Sequence, residues 1–157
     1  MANEGYVDYL KQMKKQFNRT TSIFEESDSS FAPAKELMTV AQSIAHVAWT
    51  VDWFVDGGLD DQPFDMDFEA AHRKVSAITS LAKARQMLDA AFERAQEKTA
   101  AMSESDMVQL LQPGPILGGQ PRYAIYGALC DHTAHHRGAL AVYARLLGKV
   151  PLMPYGE

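Results

Sequence analysis

Four long stretches of this chain place apolar residues at steps of three and four, the spacing that puts side chains on one face of an α-helix. The stretches cover residues 6–24, 36–54, 68–95 and 121–147. No stretch alternates polar and apolar residues convincingly, as a half-buried β-strand would. Amphipathic helices of this length bury their apolar faces against one another, so the sequence predicts an all-α four-helix bundle.

Segments rich in proline, glycine and polar residues separate the four predicted helices. They read "EESDSSFAP" at 25–33, "GGLDDQPFDMD" at 57–67 and "PGPILGGQP" at 113–121, and proline and glycine end or interrupt helices. The bundle is therefore expected to have long connections, followed by a C-terminal tail, "VPLMPYGE". A length of 157 residues is typical of one domain, so residues 1–157 are predicted to fold as a single unit.

The charge and the apolar pattern exclude two classes of partner. Fifteen Lys and Arg residues against twenty Asp and Glu residues give a net charge of −5, and no window forms the basic stripe typical of nucleic-acid binding. No stretch reaches the about 18 consecutive apolar residues of a membrane-spanning helix. The single cysteine, Cys130, cannot form an internal disulfide, and the first residues, "MANEGYVDYL", do not resemble a secretory signal. We therefore expect a cytoplasmic protein that contacts neither nucleic acid nor membrane.

The fourth stretch carries two histidines on its apolar face. This face, called the seam below, runs through Leu129, His132, His136 and Leu140 at steps of three and four. Residues four apart lie about one turn apart on the same helix face, so both imidazoles can point at one atom. Burying two polar rings without partners is unfavourable. The pattern leaves two interpretations open: histidines satisfied by hydrogen bonds in the core, or two ligands of a metal site.

A third histidine supports the metal interpretation. His46 lies in "SIAHVAWTVDWF", beside the apolar stripe of the second stretch, and alone it is typical of a buried core residue. Together with His132 and His136 it completes a set of three imidazoles with at least one coordination position left open. Such a set suits Zn²⁺, and also Ni²⁺ and other ions that prefer imidazole.

Five further side chains are candidates for lining a ligand pocket or supporting the ligands: Trp49, Thr50, Trp53, His135 and Tyr143. Thr50 follows His46 by one helical turn and can hydrogen-bond near the site. The two tryptophans are four apart and line either a pocket or a dimer contact. His135 points off the seam, so we expect it outside the ligand set, either at the pocket mouth or on the flank of the helix. The tyrosine continues the seam beyond the last histidine.

Two other chemistries of helical bundles and hydrolases find little support in the sequence. A di-iron centre requires inward glutamates and two Glu-x-x-His motifs, and this chain has one such motif, from Glu69 to His72, at the polar start of the third stretch. A nucleophilic hydrolase would need a Gly-x-Ser-x-Gly elbow, which is absent, or a cysteine beside a histidine. Cys130 lies about 160° round the helix from His132. Neither chemistry is expected.

Several short segments resemble the DinB-like family of metal-binding four-helix proteins. They are "IAHVAW" on the second stretch, "HTAHHRGAL" and "YARLLGKVP" on the fourth, and the terminal "PYG". The resemblance spans nearly the whole chain in order and spacing. It implies that the metal ligands of the family correspond to His46, His132 and His136, one residue at a time. The pattern departs at Ala139, where the family often has glutamine.

The resemblance also implies an activity class. Characterised relatives include thiol-dependent transferases and isomerases, in which the metal activates a low-molecular-weight thiol. The resemblance therefore implies a divalent-metal-binding protein that acts on a small molecule, as a metal-dependent thiol (S-)transferase or a related, hydrolase-like enzyme. The alternative is a non-catalytic metal or small-ligand-binding dimeric module. An enzyme keeps one metal position open towards a cavity, whereas a binding module can fill that position with a fourth side chain.

The second stretch bears on the oligomeric state. Its apolar residues cover more than one helix face, and filling one core leaves part of such a surface uncovered. The family resemblance points the same way. We therefore expect a homodimer held by apolar helix faces.

Overall fold

The computed structural model describes residues 3–60 and 62–156. Six α-helices follow one another along them: α1 Glu4–Thr21, α2 Val40–Gly58, α3 Phe68–Ser76, α4 Leu81–Ala101, α5 Glu104–Met107 and α6 Ala124–Leu146. These residues contain no β-strand beyond an isolated bridge between Leu110 and Pro121, which confirms the all-α prediction. None of the helices in the described ranges combines the length and the apolar content that crossing a membrane requires.

The four long helices, α1, α2, α4 and α6, form the predicted four-helix bundle. α2 packs against α4 and α6, and α1 packs against the same two helices. α1 and α2 therefore occupy diagonal corners of the bundle, although they are consecutive long helices. The long connection over residues 22–39 makes this crossing possible, because short loops join neighbouring helices. The arrangement sets α2 directly against α6.

α2 begins at Val40 and not near residue 36, because Thr39 caps it. The Thr39 hydroxyl accepts a hydrogen bond from the Gln42 backbone N–H at 3.2 Å, and the Gln42 side chain accepts one from the Thr39 N–H at 2.9 Å. This reciprocal capping box satisfies two backbone donors that a helix start otherwise leaves unpaired. The helix continues to Gly58, past the predicted end at residue 54.

The prediction of one helix over residues 68–95 is wrong, because the chain divides there into α3 and α4 at residues 77–80. Ser80 caps α4 by accepting a hydrogen bond from the backbone of its first turn. The Glu26 carboxylate accepts two more, from the N–H groups of Leu81 and Ala82 at 3.0 and 2.8 Å. These bonds satisfy the free donors of the helix start. The buried stripes on the two sides of the break are offset, because Val75 and Leu88 are 13 residues apart, which is about 140° round a continuous helix. Steps of three and four on each side hide this offset when the steps alone are counted.

Large apolar side chains of the long helices build the core. The largest fully buried ones include Leu10, Phe17, Ile44, Leu88, Phe92, Ile125, Tyr126 and Leu129. The hydroxyl of Tyr126 is satisfied there, since it lies 2.8 Å from the buried Thr99 hydroxyl. The predicted seam of the fourth stretch thus faces the centre of the bundle.

α2 is buried nearly all round by its own chain. α4, α6 and the short α3 all pack against it, and 13 of its 19 residues are buried. The wide apolar surface of this helix is therefore accounted for within one chain and no longer argues for a second subunit. The homodimer stays a prediction.

The C-terminal segment lies on the surface of the bundle and is anchored at several points. Arg19 of α1 donates a hydrogen bond to the Met153 carbonyl at 2.7 Å. The Lys149 ammonium contacts the carboxylates of Asp28 and Glu25 at 2.5 and 3.1 Å. These contacts attach the predicted tail to α1 and to the turn that follows α1.

Candidate metal centre

Three histidines from two adjacent helices converge between α2 and α6. His46 comes from α2, and His132 and His136 come from successive turns of α6. One nitrogen from each ring lies within 4.8 Å of those of the other two. The Nε2 atoms of His46 and His132 are 3.1 Å apart, and the ring centres of His46 and His136 are 4.7 Å apart. The structure therefore brings together the three residues that the sequence singles out as ligands.

Partial burial keeps these imidazoles neutral. Burial is the main cause that lowers the pKa of His132 to about 4 and the pKa of His136 to about 3, and the neighbouring histidines add to both shifts. The pKa of His46 is lowered as well, first by burial and second by His135. Neutral rings present free lone pairs at neutral pH, the form that a metal ion binds.

The donor set fits a transition-metal ion. Metal–nitrogen bonds of about 2.0–2.1 Å in a tetrahedral site place the ligand nitrogens about 3.3 Å apart, close to the 3.1 Å between the Nε2 atoms of His46 and His132. Imidazole nitrogens favour Zn²⁺, Ni²⁺ and similar ions over Mg²⁺ and Ca²⁺, which prefer oxygen. Within the described ranges, the group contains no fourth His, Cys, Asp or Glu.

Two of the predicted neighbours on α2 border the histidines, and the third, Trp53, lies behind one of them. The Thr50 side chain is buried, and its Oγ1 lies 3.4 Å from His132 Nε2. The Trp49 ring stacks on His46, with the ring centres 6.2 Å apart and the planes at 19°. Trp53 stacks in turn on Trp49 at 5.8 Å. A row of aromatic rings and a buried hydroxyl therefore flank the site.

The two predicted neighbours on α6 lie in different surroundings. His135 is exposed and stands edge-on to His136, with the ring centres 4.9 Å apart, and it is outside the group of converging nitrogens. Tyr143 donates its hydroxyl to the Met38 carbonyl at 3.2 Å and packs edge-on against Phe31. These contacts attach Tyr143 to the segment before α2 rather than to the histidines.

The sequence does not single out a second set of aromatic residues beside Trp53. Phe64, in the connection after α2, and Phe68, at the start of α3, both contact the Trp53 ring. The Trp53 indole N–H donates to the Asp65 carbonyl at 2.7 Å. Gly57 makes room for this loop, because a Cβ atom there would overlap the Phe64 ring. Phenylalanines in and beside an otherwise polar connection are the signal that points to this packing.

A four-helix bundle with three histidines between two of its helices is the class of protein that the fold and the site define. The chain belongs to the DinB superfamily, whose family model matches residues 9–140. A comparison with curated proteins finds no match.

Three solved structures share the fold, each with a TM-score of 0.69. A DinB-like protein from Bacillus subtilis, YjoA, is 15% identical and covers 94% of this chain and 96% of its own. A DinB-like protein from Bacillus cereus is 19% identical, and both chains are covered completely. YfiT from Bacillus subtilis, described as a probable metal-dependent hydrolase with an unusual four-helix bundle topology, is 12% identical, with 94% of this chain and 88% of YfiT covered. At these identities the likeness shows the fold alone.

Proposed function

We propose that this chain is a metal-dependent enzyme that transfers a group to or from a low-molecular-weight thiol. His46, His132 and His136 would bind one divalent transition-metal ion, Zn²⁺ or Ni²⁺. The observation that carries the proposal is the convergence of three imidazole nitrogens within 4.8 Å, without a fourth His, Cys, Asp or Glu ligand among the described residues. Structural zinc sites are closed by four protein ligands, whereas catalytic ones keep a position open.

The chain's own residues would bind the ion, hold its ligands in position and contact the substrate. Two packed helices hold the imidazoles, and the lowered pKa values of His132 and His136 keep their lone pairs free at neutral pH. When bound, a divalent ion lowers the pKa of a coordinated thiol or water and polarises an electrophile. Trp49 and Trp53 offer an apolar surface beside His46 that can hold the apolar part of a small substrate.

Hydrolysis is the second candidate function. The description of YfiT as a probable metal-dependent hydrolase favours it, and the three-histidine arrangement serves an attacking water as well as a thiol. The two reactions differ in one requirement, since only group transfer depends on an added thiol. A non-catalytic binding module is less well supported, because such a module can close its site with a fourth side chain and the described residues add none to this group.

Metal analysis followed by an activity screen tests the proposal. Untagged protein should carry close to one Zn²⁺ or Ni²⁺ per chain, and the metal-loaded protein should consume electrophilic substrates only when a small thiol is present. His136→Ala should lose both metal and activity, whereas His135→Ala should keep the metal. Activity without any thiol would favour hydrolysis. Protein that takes up no transition metal would reject the proposal.

The expected homodimer belongs to the same proposal. The exposed large apolar residues near the end of the chain include Val142, Leu146, Val150 and Met153, and an apolar surface of this kind is a candidate contact face. Light scattering at micromolar concentration should give twice the chain mass, and a monomer would reject the dimer.

A further inference from the structure

Thr50 is a buried polar residue whose hydrogen bond depends on the state of the histidines. It follows His46 by one turn of α2, and only 4% of it is exposed. Its neighbours Val47 and Val51 are fully buried. The hydrogen bond that the described residues offer its hydroxyl runs to His132 Nε2, at 3.4 Å.

The same nitrogen is the one that converges with the other histidines. His132 Nε2 also lies 3.1 Å from His46 Nε2, so it is the atom that would bind an ion between these rings. Once its lone pair is engaged by an ion, it can neither accept a hydrogen bond from Thr50 nor carry a proton to donate. The Thr50 hydroxyl would then be buried without its partner, which is unfavourable.

We propose that Thr50 is a positioning residue for the ligand that completes the three-histidine site. Its hydroxyl donates a hydrogen bond to a small anionic ligand, which in the proposed reaction is the thiolate. This inference rests on the proposed function, because it requires an ion at the histidines. It goes further by assigning the recognition of the exchangeable ligand to one side chain of α2. An anionic ligand is favoured because a hydrogen bond to a charged acceptor is stronger than one to a neutral acceptor.

Thr133 provides a matched control. It is also buried, with 2% exposed, and it adjoins His132 in α6. Its hydroxyl has no hydrogen-bond partner among the described residues, and it makes no described contact with the three rings. Replacing threonine by valine at position 133 removes a buried hydroxyl near the site without removing the one that contacts a ligand nitrogen.

Ligand titration of the Co²⁺-loaded full chain tests the proposal, because cobalt absorption reports on the coordinated ligands. Azide and 2-mercaptoethanol would be titrated separately into the parent protein and into Thr50→Val, Thr50→Ala, Thr50→Ser and Thr133→Val. All five proteins should bind one Co²⁺ per chain. The dissociation constants of both ligands should rise about tenfold in Thr50→Val and Thr50→Ala. They should stay at the parent value in Thr50→Ser and Thr133→Val.

The possible outcomes separate this inference from the proposed function. Unchanged ligand affinity in Thr50→Val or Thr50→Ala, with cobalt still bound, would overturn the role of Thr50 and leave the metal site intact. Loss of cobalt in these two variants would also overturn it, because the hydroxyl would then be needed to bind the metal and not to position the exchangeable ligand. A parent protein that binds no cobalt would overturn the proposed function and this inference with it. Thr50→Ala keeps the test decisive if Thr50→Val fails to fold.

Discussion

The Nε2 atoms of His46 and His132 lie 3.1 Å apart, although 86 residues separate the two histidines along the chain. Two imidazole nitrogens that both present lone pairs repel each other at this distance. One of them therefore carries a proton that the other accepts, or a cation lies between them. The contact brings α2 and α6 together at a point where either a shared proton or a metal ion can bridge the two helices.

Metal stoichiometry should depend on the seam histidines and not on the histidine between them. His136→Ala removes one of three converging nitrogens and should reduce bound Zn²⁺ or Ni²⁺ from about one ion per chain to a small fraction, because two imidazoles hold such an ion weakly. His135→Ala changes an exposed ring outside the group and should retain one ion. Elemental analysis after dialysis measures both. Equal metal content in the parent and in His136→Ala would contradict the three-histidine site.

Tryptophan fluorescence should report directly on the site. The chain has two tryptophans, and one of them, Trp49, stacks on the ring of His46. Ni²⁺ or Co²⁺ quenches indole fluorescence at short range, so the signal should fall and level off at one equivalent. Trp49→Phe should bind the ion equally well but show weaker quenching, because Trp53 lies behind Trp49 in the stack. Quenching that never saturates would indicate collision with free ions instead of binding.

Metal affinity should resist mild acid. Free histidine has a pKa of about 6.5, which on its own predicts loss of binding below that pH. Burial lowers the pKa of His132 to about 4 and the pKa of His136 to about 3, and the pKa of His46 also lies below its usual value. Protons therefore compete with the metal at a lower pH in the folded chain. The dissociation constant should change little between about pH 7 and 5.5 and rise steeply near pH 4. A tenfold loss of affinity by about pH 6 would contradict the burial of the rings.

The metal-free protein should lose stability as the pH falls from about 6.5 towards about 4. In the unfolded chain the histidines take up protons below about pH 6.5, whereas in the folded chain His132 and His136 do so only at about 4 and 3. The unfolded state thus binds more protons between these limits, so the free energy of unfolding falls as the pH falls. Denaturant unfolding at a series of pH values measures the slope. His136→Ala lacks one of these groups, so its free energy of unfolding should depend less steeply on pH. An identical pH dependence in the parent protein would argue against the lowered pKa of His136.

Replacing two helical glycines by alanine should change the free energy of unfolding in opposite directions. A Cβ atom at Gly57 would overlap the Phe64 ring, which is held against Trp53 and Phe54, so Gly57→Ala should destabilise the protein by about 1–3 kcal/mol through overpacking. A Cβ atom at Gly138 meets open space, so Gly138→Ala should stabilise α6 by about 0.5–1 kcal/mol. Thermal and urea unfolding give both values. Changes of the same sign in both variants would contradict the described loop packing.

The helical register explains why the three histidines are predictable from the sequence. A spacing of four fixes His132 and His136 on one face of a helix, and the apolar neighbours of both residues identify that face as the buried one. His46 lies beside the apolar stripe of a second helix, so it is predictable as a ligand only together with the two histidines of α6 and through the family resemblance. Two residues on the same helix face can nevertheless lie far apart along the helix axis. Tyr143 shares the face of His136 but lies seven residues on, about 10.5 Å further along the helix, where it bonds to Met38.

The features that the sequence does not reveal depend on contacts between distant segments. The break before α4 is stabilised by the Glu26 carboxylate, 55 residues away from Leu81, and nothing near residue 80 announces that partner. The apolar surface of α2 is another case, because hydropathy shows that a face is covered but not whether the same chain or a second one covers it. The packing of Phe64 on Trp53 likewise arises only when the loop folds back.

The distance in sequence between His46 and His132 also sets an order of events during synthesis. Extending the chain from His46 to His132, a separation of 86 positions, takes roughly 4–17 s at about 5–20 residues per second. During that interval α2 lacks the cover of α6, and His46 lacks both of the histidines that it contacts in the folded chain. α6, the fourth of the long bundle helices in chain order, supplies both the missing core surface and two of the three nitrogens. The ligand set is thus completed by the same helix that completes the bundle.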